Sequence, residues 1–303
     1  MIEKPAVIVT SLGRTGTKFF YALFRELIPG GLSLHEPDVL SFNVLSDRDV
    51  LSQIRFVLRQ LEDAGIYNLI IRRTLRKWSL MELSDARVRG ELSYAEAVKQ
   101  VLDQRRGFVL SRTGLVYIEA NAGYYGLIGV LKDVYAHHRV AYLVRDGRDW
   151  VRSHLNWGEM YGKGKIRRLV AHTWPTALEI RGDPYAEKWR MMSRFERICW
   201  AWTRLNGYAL KSIQRNPDAE VFRFEDVFKS ESRYQHLAEL VDFATDMPGV
   251  EPVPPRALEG WLDRKIHESS GKFPAWPEWP SQHRGKFLEI CGELMETLHY
   301  ELD

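Results

Sequence analysis

This 303-residue sequence has few cysteines, no long apolar run and no large excess of either charge. The two cysteines, Cys199 and Cys291, lie in helix-like stretches, which predicts two buried free thiols rather than a disulfide framework. No run approaches about 18 apolar residues and no secretory signal pattern is present, so we expect no membrane span and a cytoplasmic location. The formal net charge of +3 does not indicate nucleic acid as a ligand.

The sequence also lacks internal repeats, low-complexity tracts and a convincing domain boundary. No spacing of histidine, cysteine and acidic residues indicates a metal site. Hydrophobic residues make up 45% of the chain and charged residues 27%, as in ordinary globular proteins. We therefore expect one domain over residues 1–303, with a largely helical insertion at about 46–114.

Hydrophobic patterns predict strands that alternate with helices from end to end. Strand candidates are "AVIVTSL", a short strand ending at "HEP", "LVYIEAN", "HRVAYLVRD" and "AEVFRFED". Helix candidates include "KFFYALFREL", "SYAEAVKQVLDQRR", "GLIGVLKDVY", "GRDWVRSHLNW", the region 184–216 and "RGKFLEICGELMETLHY". Ser93 and Glu96 have the spacing of a capping box. This alternation predicts a three-layer α/β fold, a central parallel β-sheet flanked by helices.

The stretch "VIVTSLGRTGTKFF" places a glycine-containing loop between the first strand and the first helix. A Walker loop requires G-x-x-x-x-G-K-[ST], but Gly13 and Gly16 are only three residues apart and no Gly-Lys-Ser or Gly-Lys-Thr follows. Phe19 stands where a hydroxyl would be needed for magnesium. The sequence therefore disfavours a magnesium-dependent triphosphatase.

Anion binding by this loop remains favoured. Backbone N–H groups at the start of a helix point towards one place, and the helix dipole favours negative charge there. Arg14 and Lys18 add positive charge, and Thr15 and Thr17 add hydroxyl donors. The alternative is a glycine turn before a capped helix, with no ligand.

A second stretch, "AYLVRDGRDWVRSHLNW", places Arg145 at the end of a strand and Ser153 eight residues later in a helix. A guanidinium and a hydroxyl placed in this way are suited to binding one phosphate group. Taken alone the pattern is weak, because Arg-Asp turns are common and a serine is an ordinary polar helix residue.

Together the two stretches resemble the cytosolic and bacterial sulfotransferase family, which uses 3′-phosphoadenosine 5′-phosphosulfate (PAPS). "LGRTGTKFF" resembles the family's 5′-phosphosulfate loop, and "LVRDGRDWVRS" resembles its 3′-phosphate motif, including the eight-residue spacing. "VFRFEDVF" is similar to the family's late strand, although Phe224 stands where many relatives have tyrosine. The resemblance does not cover the region between Ser46 and Gly114. It implies a P-loop NTPase-like sulfotransferase fold in which that region shapes the acceptor site.

The resemblance also implies roles for individual residues. The 5′-phosphosulfate would be bound by Arg14, Thr15, Gly16, Thr17 and Lys18, and the 3′-phosphate by Arg145 and Ser153. Phe19 falls where relatives often have a tryptophan against the adenine. The family's basic C-terminal loop is represented here only by "RKIHESSGK", with Lys265 and Lys272 as candidates. Arg14 and Lys18 would also stabilise charge on the leaving phosphate.

Three side chains compete for the role of catalytic base. Glu36 matches a glutamate that acts as base in carbohydrate-acting and several bacterial relatives. Glu119, in "YIEAN", lies where the small-molecule branch carries its catalytic histidine, and this sequence has no histidine there. We rank Glu36 first, Glu119 second and His35 third. The alternatives are a strand-end cap for Glu36 and a salt bridge to a nearby arginine for Glu119.

The function implied is transfer of a sulfuryl group from PAPS to a hydroxyl, with an amine as second choice, on a small-molecule, lipid or carbohydrate acceptor. The other product would be adenosine 3′,5′-bisphosphate, and no metal is required. Two alternatives are a P-loop kinase for a small molecule and a non-catalytic adenine-nucleotide binding protein. The sequence indicates neither the acceptor nor the oligomeric state.

Overall fold

The computed structural model describes residues 1–38, 54, 58, 61, 62, 65, 78–158, 160–162, 174–264 and 271–302. Its centre is a five-stranded sheet in the order β2-β3-β1-β4-β5, and every pair of neighbouring strands is parallel. The strands are β1 (Ala6–Ser11), β2 (Leu32–His35), β3 (Tyr117–Ala120), β4 (His138–Val144) and β5 (Ala219–Arg223).

Helices cover both faces of this sheet. They are α1 (Thr17–Leu27), α2 (Leu80–Arg89), α3 (Tyr94–Leu110), α4 (Gly147–Trp157), α5 (Arg194–Ile213), α6 (Phe224–Phe228), α7 (Arg233–Thr245) and α8 (Ser281–Thr297). The prediction of a three-layer α/β fold with a parallel sheet is therefore confirmed. No helix in the described ranges is long and apolar enough to cross a membrane.

Alternate residues of the central strands enter two separate cores. In β1, Val7 and Val9 pack with α1 and α7 on one face. Ile8 points to the opposite face, where the core contains residues of α3, α5 and α8. All six residues of β1 are buried, as expected for a strand covered on both sides. The predicted continuous apolar run thus reflects burial on two faces.

The structure confirms the predicted capping box and free cysteines and corrects one predicted helix. Ser93 and Glu96 form the expected capping box at the start of α3, and both cysteines are buried and free. The predicted helix "GLIGVLKDVY" is wrong, because Ile128–Asp133 is a 3-10 helix. The helical region predicted from residue 184 begins only at α5, and α7 was not anticipated. Of the helical insertion predicted at about 46–114, most of residues 46–77 lie outside the described residues, and the rest contains α2 and α3.

Parallel strands bring their carboxyl ends to one edge of the sheet, where ligands bind in open α/β folds. The loop after β1, the turn after β2, the segment after β3 and the start of α4 after β4 all lie at this edge. The motifs singled out in the sequence are therefore neighbours in space.

Candidate functional site

The loop between β1 and α1 has an unusual backbone, with three residues in the left-handed region. Gly13, Arg14 and Gly16 all have positive φ angles, of 76°, 59° and 84°. A Cβ atom on Gly16 would lie 3.2 Å from the ring of Phe228, so glycine is required there by space as well as by conformation. The loop therefore makes a tight turn that leads directly into the first turn of α1.

The N-terminus of α1 lacks the capping found on other helices of this protein. Ser79, Ser93 and Ser193 each form a capping box at the starts of α2, α3 and α5. Gly16 caps α1 without any side-chain hydrogen bond, and the first turn contains no acidic residue. The partial positive charge of this terminus is therefore not neutralised by the helix's own residues.

The two predicted phosphate motifs contact each other. Nε of Arg14 donates a hydrogen bond to Oγ of Ser153 at 3.1 Å. Nη1 of Arg145 donates to the carbonyl oxygen of Arg14 at 2.8 Å. Trp150, one turn before Ser153, donates from Nε1 to the carbonyl oxygen of Gly13 at 3.1 Å. Helix α4 and the loop after β1 thus form one basic surface.

Aromatic and acidic neighbours fix the guanidinium of Arg145. Its Cζ lies 4.8 Å from the centroid of the Phe224 ring, and its Nη2 lies 3.9 Å from a carboxylate oxygen of Asp149. Asp149 also forms an ion pair with Lys229 at 2.5 Å. Phe224 therefore supports Arg145 by a cation–π contact. Burial and the charge of Arg145 lower the pKa of Arg14.

Oγ1 of Thr15, a residue only 1% exposed, and Nε of Arg145 have no hydrogen-bond partner among the described residues. A buried hydroxyl without a partner is costly unless a ligand or water satisfies it. Lys18 is exposed at the start of α1. These residues fit an anionic ligand that carries more than one phosphate or sulfate group.

The structure gives Phe19 a packing role. Its ring is 4% exposed and meets those of Phe20, Phe228 and Trp261 edge-on, at centroid distances of 5.2, 5.0 and 6.0 Å. The ring is thus buried among aromatic neighbours in this conformation, and the adenine contact through Phe19 stays a prediction.

The turn after β2 brings His35 and Glu36 close to α1. Nε2 of His35 lies 3.4 Å from Oγ1 of Thr17. Burial and then the charge of Lys18 lower the pKa of His35 to about 4. Burial and then the charge of Asp38 raise the pKa of Glu36 to about 7, although Lys18 opposes this. At neutral pH His35 is uncharged, and Glu36 can gain or lose a proton.

Glu119 is the centre of a buried hydrogen-bond network. Its carboxylate accepts from Arg105 at 2.6 and 2.9 Å, from the hydroxyl groups of Tyr117 and Tyr124 at 2.6 and 2.8 Å, and from Asn121 at 2.7 Å. The side chain is fully buried. Its lone pairs are used by neighbours, which favours the salt-bridge interpretation of Glu119 over the role of base.

The candidates in the late basic loop are described only in part. Lys265 lies outside the described residues. Lys272 is exposed, in a segment that packs on α4: the N–H of Phe273 donates to Oδ1 of Asn156 at 2.8 Å, and Arg152 donates to the carbonyl oxygen of Phe273 at 3.2 Å. Lys272 is thus close in sequence to a contact with the helix that carries Ser153.

Sequence reasoning missed Asp38, Arg105 and His154. Asp38 follows Glu36 by two residues, and this spacing was the available signal in the sequence. Arg105 occupies an ordinary position in an amphipathic helix, and no sequence pattern indicates that it pairs with Glu119. His154 follows Ser153 directly and is 1% exposed.

No protein-family model matches the chain, and no curated protein matches it. Among solved structures, the chain is similar to the sulfotransferase domain from the curacin biosynthetic pathway, with 14% identity, a TM-score of 0.45, and coverage of 100% of this chain and 99% of that one. The sulfotransferase from Alicyclobacillus acidocaldarius shows 13% identity, a TM-score of 0.42, and coverage of 99% and 98%.

A third similar structure is the sulfotransferase domain from the Synechococcus PCC 7002 olefin synthase, with 15% identity, a TM-score of 0.40, and coverage of 100% and 97%. Because these identities and TM-scores are low, the fold assignment rests on the sheet order of this chain. A functional assignment has to rest on the residues of the site itself. Among the described residues, no group of three or more histidine, cysteine, aspartate or glutamate side chains is arranged to hold a metal ion.

Proposed function

We propose that this chain is a sulfotransferase that uses PAPS as its sulfuryl donor. The observation that carries the proposal is the contact between the two motifs: Arg14 of the loop after β1 donates to Ser153 of α4, and Arg145 donates to the backbone of Arg14. A donor with a phosphosulfate group and a separate 3′-phosphate needs two anion subsites within reach of each other. The sequence resemblance gives those subsites to the same residues.

The described residues fit such a nucleotide. The uncapped start of α1, the unpartnered Thr15 hydroxyl and Lys18 would hold the 5′-phosphosulfate. Arg145 and Ser153 would hold the 3′-phosphate. Each donor contributes a charge-assisted hydrogen bond, which is stronger than a neutral one. Bound PAPS would supply the sulfuryl group and leave as adenosine 3′,5′-bisphosphate.

In the proposed reaction Glu36 accepts the proton of the acceptor hydroxyl. A general base is most effective when its pKa is near the working pH, and that of Glu36 is about 7. Arg14 and Lys18 provide positive charge where the leaving phosphate gains negative charge. Glu119 is the second choice as base, since its oxygens already accept five hydrogen bonds. His35, whose pKa is about 4, is third.

The acceptor we propose is a hydroxyl compound of small-molecule, lipid or carbohydrate type, with an amine as second choice. Trp157, 42% exposed at the end of α4, and the nearby Trp174 offer apolar surface for it. We propose that the enzyme works in the cytoplasm.

Nucleotide binding provides the direct test. Without magnesium, adenosine 3′,5′-bisphosphate at about 100 times its Kd should stabilise the protein by about 2.7 kcal/mol, a rise of a few degrees in melting temperature. ATP should raise it much less. Arg145→Ala should weaken bisphosphate binding roughly 10- to 100-fold, because a charged hydrogen bond contributes about 1.5–3 kcal/mol.

Turnover separates the proposal from its alternatives. Incubation with PAPS and a panel of hydroxyl compounds, followed by mass spectrometry, should reveal a sulfated product. Glu36→Gln should keep bisphosphate binding and lose turnover. ATP binding that requires magnesium would indicate a kinase, and bisphosphate binding with no turnover on any acceptor would indicate a binding protein.

A further inference from the structure

Asp38, in the turn after β2, is fastened to three separate parts of the fold. Its Oδ1 accepts from Nδ2 of Asn121 at 2.9 Å and from Nη2 of Arg105 at 3.4 Å. Its Oδ2 accepts from the backbone N–H of Leu80, the first residue of α2, at 2.9 Å. The side chain is 4% exposed. A buried carboxylate is therefore held in one position by groups from the end of β3, from α3 and from α2.

Glu36 precedes Asp38 by two residues and has an unfavourable backbone. Its φ angle is 44°, in the left-handed region, which is unfavourable for a non-glycine residue. Such a conformation persists only where the surroundings hold it. On one side, the N–H of Glu36 donates to the carbonyl oxygen of Ala120 at 3.2 Å. On the other side, the fixed side chain of Asp38 anchors the turn.

Charged groups of both signs act on the carboxyl of Glu36. Arg105 lies between Asp38 and Glu119, so this group of two carboxylates and one guanidinium keeps one negative charge. Lys18 faces Glu36 from α1 with the opposite sign, and the amide of Ala122 donates to its carboxyl. His35, next to it in the chain, is uncharged at neutral pH. Asp38 is the strongest of the charged groups that act on Glu36.

We propose that Asp38 is a positioning residue for Glu36: held by Asn121, Arg105 and Leu80, it fixes the strained turn and places an anchored carboxylate two residues from the carboxyl that would accept the acceptor's proton. The inference rests on the proposed function only for the role of Glu36 as base. Arg105 and Asn121 act one step further away, because they hold Asp38. Glu119 balances Arg105, which explains why a buried glutamate lies at this place without contacting the ligand loop.

The test measures the titration of the Glu36 carboxyl directly in the nucleotide-free full chain. Carbon-13 NMR of the protein labelled at glutamate carboxyls gives the midpoint, and the signal is assigned as the one missing in Glu36→Gln. We expect a midpoint near 7 in the natural protein and a fall of roughly one pH unit in Asp38→Asn, because a neighbouring like charge has been removed. The acid limb of kcat/KM should move by the same amount.

A matched control separates charge from folding. Ser79→Ala removes the cap of α2, beside Leu80, without changing any charge. It should lower the melting temperature and leave the Glu36 midpoint unchanged. Asp38→Ser, which keeps a hydroxyl acceptor near Leu80, replaces Asp38→Asn if that variant does not fold.

The outcomes are distinguishable from those of the proposed function. A midpoint near 4.5 in the natural protein, or an equal midpoint in Asp38→Asn, would overturn the inference even if sulfuryl transfer is observed. A lowered midpoint without any sulfuryl transfer would support the effect of Asp38 on Glu36 and count against the proposed function.

Discussion

Nε of Arg14 lies 3.1 Å from Oγ of Ser153, so two residues 139 positions apart in the chain share one hydrogen bond. The loop and the helix that would bind the two ends of a nucleotide are therefore already in contact. Ser153 can donate to a phosphate while it accepts from Arg14, since a hydroxyl has both a donor and acceptor lone pairs. This bond links the two anion subsites.

The first prediction concerns Ser153→Ala. This change removes both the acceptor of Arg14 and a donor to the ligand, while the small side chain remains compatible with the helix. We expect the affinity for adenosine 3′,5′-bisphosphate to fall roughly 10-fold, as for the loss of one hydrogen bond to a charged group. Isothermal titration calorimetry measures it. Ser212→Ala, which removes a hydroxyl bonded within α5, should bind as the natural protein does. Equal affinities for both variants would contradict the prediction.

The second prediction is a stability change that follows from the raised pKa of Glu36. The folded state holds a proton on Glu36 up to about pH 7, whereas an unfolded glutamate releases it near 4.5. Between these values the folded state binds more protons, so this group makes the free energy of unfolding decrease as pH rises. Glu36→Gln removes this loss and should be more stable than the natural protein by about 1–3 kcal/mol at pH 8.

Urea denaturation at pH 4 and pH 8 measures that difference. The two proteins should differ little at pH 4, where Glu36 is protonated in the folded state, and should differ most at pH 8. A stability gain that is the same at both values would show that the carboxyl is not the cause. The variant should still bind bisphosphate, because Glu36 is not one of the residues proposed to hold the phosphate groups.

The third prediction concerns the buried pair of Arg105 and Glu119. Arg105→Met leaves Glu119 and Asp38 without their shared cation and should cost about 3–5 kcal/mol of unfolding free energy. Adding Glu119→Gln should recover part of this loss, because one of the uncompensated charges is removed. Arg139→Met provides the comparison: its pairs with aspartates at the surface should contribute less than about 1 kcal/mol. Equal losses for Arg105 and Arg139 would contradict the prediction.

The sequence predicted the layers of the fold because the strands are buried on both faces, and continuous apolar runs such as "AVIVTS" identify such strands directly. The resemblance assigned Arg14 and Ser153 to the two ends of one nucleotide, and in the structure a hydrogen bond joins them. The apolar runs and the two motifs are local patterns whose meaning does not depend on distant residues.

What the sequence did not reveal depends on contacts between distant segments. Asp38 is held by residues 42, 67 and 83 positions away, and no local pattern indicates such partners. The resemblance placed Phe19 at a position where an aromatic ring would lie against adenine, and its ring packs on Phe228 and Trp261 from the C-terminal half. The 3-10 helix at Ile128–Asp133 has a helical apolar spacing, and its glycine and short length decide against an α-helix.

The last prediction concerns His154, which is buried next to Ser153 without a hydrogen-bond partner on either ring nitrogen among the described residues. Its ring lies 3.9 Å from that of Trp150, centroid to centroid. Burial, together with Arg14 and two further arginines, holds its pKa well below the usual value, so the ring is neutral. A neutral ring with two unsatisfied nitrogens lowers stability.

His154→Phe keeps the contact with Trp150 and removes both unsatisfied atoms, so we expect a gain of about 1–2 kcal/mol in unfolding free energy. His138→Phe is the matched comparison, because Nε2 of His138 is paired with Oδ1 of Asn216 at 3.2 Å, and its replacement should destabilise the protein. Urea denaturation measures both. A loss of stability in His154→Phe would show that the nitrogens are satisfied in solution. A gain accompanied by weaker bisphosphate binding would mean that the imidazole serves the ligand at the expense of the fold, as residues of binding sites often do.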